Sequence, residues 1–132
     1  MSTTGRGDRG QSTVELALIL PLVVLFVLLL LQAGLVVRDQ VLLTHAAREA
    51  ARAASVATGD RAVAARRSAE RSSALASDRL AVDTELVDDG RSVQVVVRYH
   101  SVTKLPFIGS LVPDPILRTT AAMRIESVEN RP

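Results

Sequence analysis

Near the N-terminus an arginine and a glycine precede a carboxylate at the edge of a long apolar run. The stretch reads Arg9-Gly10-Gln11-Ser12-Thr13-Val14-Glu15-Leu16. A charge in or next to such a run is costly unless paired, so it usually has a use. Cleavage after Gly10 would give Gln11 a new ammonium group and make Glu15 the fifth residue of the shortened chain. The Glu15 carboxylate would then pair with that ammonium, or with a neighbour's, and set register in an assembly. Glycine before the cut suits a protease that needs the backbone close and extended. The same residues also fit a plain helix start, with Glu15 as the first-turn acid and Ser12 or Thr13 as the cap. The local pattern leaves both readings open.

Other reactive residue types are sparse. His45 and His100 are the two histidines, and they fall in different elements without acids at ligand spacing. There is no cysteine, hence no disulfide framework, thiolate metal site or Cys nucleophile. No phosphate-binding glycine loop and no Gly-x-Ser-x-Gly is present. Asp88 and Asp89 are adjacent carboxylates, but their turn accounts for them. The chain has 132 residues with 2% aromatics and no Trp, poor material for a catalytic pocket. Its net charge of +2 is too balanced for a nucleic-acid binder. The expectation is therefore neither enzyme nor nucleic-acid partner, with no cofactor and no metal.

The element that must position Glu15 is the apolar run itself. Leu16 to Val37 carries no charge and is bounded by Glu15 and Arg38. As a helix it would span about 33 Å at 1.5 Å per residue, close to a bilayer's hydrocarbon core. Pro21 lies inside and would remove one backbone hydrogen bond, which membrane helices tolerate. Gln32 and Gly34 fit either a helix-contact face or interfacial tolerance near the end of the span. Met1 to Gly10 reads as a short, small-residue leader, disordered by composition. Arg6 and Arg9 against Asp8 favour a cytoplasmic N-terminus, with the C-terminal part outside. An ordinary secretory signal fits less well, because the run is long and Leu31-Gln32-Ala33 is a poor cleavage site. The domain reading is thus leader 1–10, transmembrane helix 11–37 and extracytoplasmic domain 38–132.

Beyond the run the helical period continues to about Thr58. Ala46, Ala47, Ala50, Ala54 and Ala57 share one face, and Arg38, His45, Arg48, Glu49, Arg52 and Ser55 another. The alanine face fits a partner helix or this chain's own second helix or sheet. Gly59-Asp60 reads as a stop and restart, a C-terminal glycine followed by an N-cap acid. A second helix is expected to about Arg79, with the stripe Ala62, Ala65, Ala69, Ala76 and Leu80. Arg66 and Arg67 flank Glu70 at ion-pair spacing. The cluster Arg61, Arg66, Arg67, Arg71 fits a solvated face or contact with anionic headgroups or wall polymer. The period then changes to two. Val82–Val87 and the alternating Val93, Val95, Val97, Tyr99 predict a hairpin about Asp88-Asp89-Gly90-Arg91. Thr103 to Pro115 reads as a loop with apolar contacts, and Ile116 to Val128 as a third strand. The fold class is α+β: a long N-terminal helix continuing as a stalk, a second helix, and a small three-stranded antiparallel sheet of pilin-like type.

Arg9-Gly10, Val14-Glu15, Pro21 in a long aliphatic run, and Ala46-Ala47-Arg48-Glu49-Ala50-Ala51-Arg52 together resemble the TadE-like proteins of the tight-adherence (Flp-type) pilus system. The resemblance runs over nearly the whole chain, although Leu16 stands where an aromatic often follows the glutamate. It implies a single-pass inner-membrane protein, a minor pilin or assembly factor acting structurally through helix packing. It also implies other pilin-like or assembly proteins as partners, and a prepilin peptidase acting between Gly10 and Gln11. The alternative is a stand-alone membrane-anchored binding module of the envelope, which would keep its leader and be indifferent to Glu15.

Overall fold

The computed structural model describes residues 7–102 and 113–126, with side chains from Thr13 onward. The chain divides into two compact units, Met1–Gly34 and Leu35–Pro132. The elements run α1 (Gly7–Val56), α2 (Arg61–Ser72), a 3-10 turn (Ser77–Arg79), β1 (Leu80–Val87), β2 (Ser92–His100) and β3 (Ile116–Arg124).

Helix α1 begins earlier than expected. Gly7 to Gly10 belong to it, so the leader is not wholly irregular. Once an apolar helix is nucleated, each added residue costs little, and weak formers at its end are carried along. Pro21 lies within α1 without ending it. In the first unit the large apolar side chains are turned outward: Leu18 is 74% exposed and Phe26 60%. Among the described residues this is the one helix long and apolar enough to cross a membrane.

The second unit is built differently. Leu43, Ala46, Ala47, Ala50, Ala51 and Ala54 of α1 are fully buried. Their spacing of three and four residues makes one continuous helix face. Ala65 and Ala69 of α2 are fully buried too, and Ser68 Oγ donates to the Glu49 carbonyl at 3.1 Å. The alanine face therefore packs within its own domain, and the partner-helix reading of that face is overturned. Alanine lets backbones approach closely, so the bulk of the core is left to the sheet.

That sheet has the order β1-β2-β3, antiparallel throughout. Val93, Val95, Val97 and Tyr99 of central β2 are buried on one face. Across the register they meet Leu86, Thr84, Val82 and Leu80 of β1, and Met123, Ala121, Thr119 and Leu117 of β3. Each fully buried valine contributes about 1.5–3 kcal/mol. The opposite face is polar, and there Arg98 pairs with Asp83.

Local signals place most boundaries. Asp60 caps α2, with Oδ1 accepting from Ala62 N at 2.9 Å and Val63 N at 3.2 Å. Gly59, read as a helix C-terminal glycine, is outside the left-handed region, and α1 has already ended at Val56. Helix α2 ends at Ser72 rather than near Arg79. Ser72 and Ser73 hydroxyls turn back to the Ala69 carbonyl at 3.5 and 2.9 Å, and Ser73 is extended. Such side-chain bonds compete with the helix ladder. Of the expected α2 stripe, Ala65 and Ala69 are buried, Ala62 and Ala76 are exposed, and Leu80 is buried as the first residue of β1. The hairpin turn carries three left-handed residues: Asp88 (φ 55°), Asp89 (54°) and Gly90 (81°). Aspartate tolerates this region better than most side chains, and glycine is unhindered there. Strand β3 ends at Arg124, and 127–128 lie outside the described residues. So does most of the expected apolar loop, residues 103–112.

Candidate functional site

Three groups of residues concern function: the N-terminal junction, the stalk motif, and a polar collar where α1 leaves the apolar run.

At the junction, Gly10, Gln11 and Glu15 all fall within α1. The side chain of Gln11 lies outside the described ones. The helix begins at Gly7, so Ser12 and Thr13 are not caps and Glu15 is not in the first turn. The expectation of a plain helix start there is corrected, because α1 extends two turns upstream of it. Glu15 is exposed, as is Pro21. Gln32 is buried at 7% exposure, whereas Gly34 is exposed.

The stalk motif is divided by the packing. The alanines of Ala46-Ala47-Arg48-Glu49-Ala50-Ala51-Arg52 are enclosed, Arg48 and Arg52 are exposed, and Glu49 is half-buried. The outward stripe runs Val41, His45, Arg48, Arg52, and Val41 is 63% exposed. An open groove of about 500 Å³ lies along this side, lined by Gln40, Val41, Thr44, His45 and Arg48 among others. His100, the other histidine, is exposed at the end of β2.

The collar was not apparent in the sequence. Ser101 Oγ donates to Asp39 Oδ2 at 2.8 Å, and Gln40 Nε2 donates to Thr119 Oγ1 at 3.0 Å. Ser101 N also bonds to the Pro115 carbonyl at 3.1 Å. The first turn of α1 past the apolar run is thus tied to the residue that follows β2 and to β3 itself. The available signal was the polar sequence Asp39-Gln40 directly after Arg38. Nothing local names partners that are 62 and 79 residues away.

On α2, Arg66 Nε pairs with Glu70 at 2.9 Å, as the spacing predicts. Arg67 instead offers its carbonyl to Arg71 Nε at 3.2 Å. This basic face is mostly exposed at Arg66, Arg67 and Arg71, with Arg61 half-buried.

A family model described as TadE-like protein matches residues 10–52. That segment holds the junction from Gly10 onward, the whole apolar run and the Ala-Ala-Arg-Glu-Ala-Ala-Arg motif. It stops before α2 and the sheet. No curated protein and no solved structure matches the chain.

Proposed function

We propose that this chain, TadE-like over residues 10–52, is a membrane-anchored minor pilin or assembly factor of a tight-adherence pilus. The family points to association with that pilus machinery and with the membrane. The finer role is our own reading: single-pass in the inner membrane, N-terminus cytoplasmic, C-terminal domain outside, action structural rather than enzymatic.

The observation that carries it is the exposed Glu15 at the edge of an apolar run whose large side chains face outward. Those side chains suit lipid and neighbouring transmembrane helices, where close packing drives association. A prepilin peptidase cutting between Gly10 and Gln11 would create the ammonium that Glu15 needs. The cut lies in the first turns of α1, so the helix end must unwind to enter a protease. Gly7 and Gly10 lower that cost by about 0.5–1 kcal/mol each relative to alanine. Because the alanine face is occupied within the domain, head-to-partner contact falls to the outward stripe Val41, His45, Arg48 and Arg52.

The test is the intact mass of the chain recovered from the membrane fraction. A chain beginning at Gln11 is expected. A chain retaining Met1 or Ser2 removes the ammonium and with it the Glu15 pairing. Glu15→Gln should insert normally yet impair piliation and adhesion. Normal adhesion in that variant would sink the register role.

A further inference from the structure

We propose that a cleft at the exit of the apolar run binds the phosphate of an anionic phospholipid headgroup. The cleft has a volume of about 270 Å³, and Leu35, Arg38, Asp39, Leu75, Arg79 and Tyr99 are among its lining residues. It lies wholly within the second unit, between the start of its helix, the segment after α2, and the end of β2. Two arginines that are 41 positions apart in sequence line it.

Both arginines have donors to spare. Arg38 is exposed and forms no ion pair with a described residue. The adjacent Asp39 is engaged by the Ser101 hydroxyl at 2.8 Å. Among the described residues Arg79 has only a loose acidic neighbour, Asp78, at 3.9 Å, with that carboxylate side chain 75% exposed. A guanidinium presents a rigid fork of N–H donors that matches phosphate oxygens. Tyr99, 6% exposed, is also part of the wall.

The rest of the lining selects the kind of phosphate. Leu35, Leu75 and Val102 give the cleft apolar surface beside its two arginines and the Asp39 carboxylate. That combination suits an amphiphile, whose glycerol and first methylenes lie against aliphatics while the phosphate meets arginine. Depth agrees with it. Arg38 is the first charge after Leu16–Val37, so with that run in a bilayer it stands at headgroup level. The inference rests on the membrane reading above. Free inorganic phosphate shares the anionic chemistry but would leave the apolar wall unused.

The experiment uses the full chain in nanodiscs containing phosphatidylglycerol and phosphatidylcholine, with retained lipid counted by native mass spectrometry. Wild type should retain phosphatidylglycerol over phosphatidylcholine by about 25-fold, at about fivefold per arginine, and Arg38→Gln/Arg79→Gln should lose most of that preference. Arg66→Gln/Arg67→Gln removes the same charge from α2 and should keep it. Arg38→Lys/Arg79→Lys, which keeps charge but not the fork, should fall between, and an unchanged melt of the head will show that each variant is folded. Equal retention of the two lipids, or a preference unchanged in the double Gln variant, overturns the site. Inorganic phosphate binding with the same arginine dependence, without phosphatidylglycerol preference, overturns the lipid as its source. An alkaline wash separates the two levels of failure. Wild type released by the wash defeats the membrane reading itself, whereas wild type retained without lipid selectivity defeats only the headgroup site.

Discussion

One helix, α1, is built from two kinds of apolar surface. Before Gly34 it carries large Leu, Ile, Val and Phe side chains, and they are exposed. After Leu35 it carries Leu43 and five alanines, and they are fully buried. The usual association of bulk with burial is reversed along a single element. The difference teaches what each stretch packs against. A surface that meets lipid or a loosely defined neighbour gains from bulk. A surface pressed on a second helix and a sheet must be flat and small to let the elements approach.

The sharpest way to break the comparison is a matched pair of truncations in the full chain, solubilised in mild detergent. Leu43→Ala opens a cavity in a closed core and should cost the head about 2–5 kcal/mol in denaturant unfolding. Leu30→Ala, at a position 57% exposed, should leave head unfolding unchanged. Equal effects at the two sites would show that the two halves are not packed differently.

Overpacking sharpens the same contrast from the other side. Ala50→Leu places a branched chain where no surface is exposed and should destabilise the head by about 1–3 kcal/mol. A thermal midpoint equal to wild type would mean the alanine face has room, and partner packing would return to consideration there.

A smaller effect isolates backbone from packing. Gly90 has φ 81°, and an added Cβ would meet nothing within 4 Å. Gly90→Ala should therefore cost about 1–2 kcal/mol through conformation alone. Chemical denaturation checks the size, and a loss well above this range would point to a contact not accounted for.

The smallest expected effect is on the solvated side of α2. Arg66 is 67% exposed, and its arginine-first order at i, i+4 is the weaker one. Glu70→Gln should cost about 0.2–0.5 kcal/mol, and the difference should vanish at high salt. A larger, salt-insensitive loss would show that this face is not simply solvated.

Much of the fold was legible because its signals are local. The change of period from helical to alternating at about Val82 located the sheet, and Asp88-Asp89-Gly90 located its turn. Asp60 announced the α2 cap, which forms at 2.9 Å. The end of α2 was not legible. Its alanine spacing runs on to Ala76, and only the competing hydroxyls of Ser72 and Ser73 stop it. The start of α1 was misjudged for a related reason, since composition describes Gly7 to Gly10 in isolation and not as an extension of a stable helix. At the candidate site, the spacing of Gly10 and Glu15 was readable, as was the outward placement of Arg48 and Arg52. The collar was not, because Asp39 and Gln40 find their partners only after the sheet has formed.

The sequence by itself determined a long apolar run bounded by Glu15 and Arg38, an alanine-striped helix beyond it, and an alternating hairpin. Each of these depends on residues within a few turns of one another. Only the tertiary structure decided that the alanine face is closed by this chain's own α2 and sheet, and that Arg38 and Arg79 line one cleft. Those are contacts between distant segments, and what selects them is the shape complementarity of assembled elements rather than the preference of any one stretch.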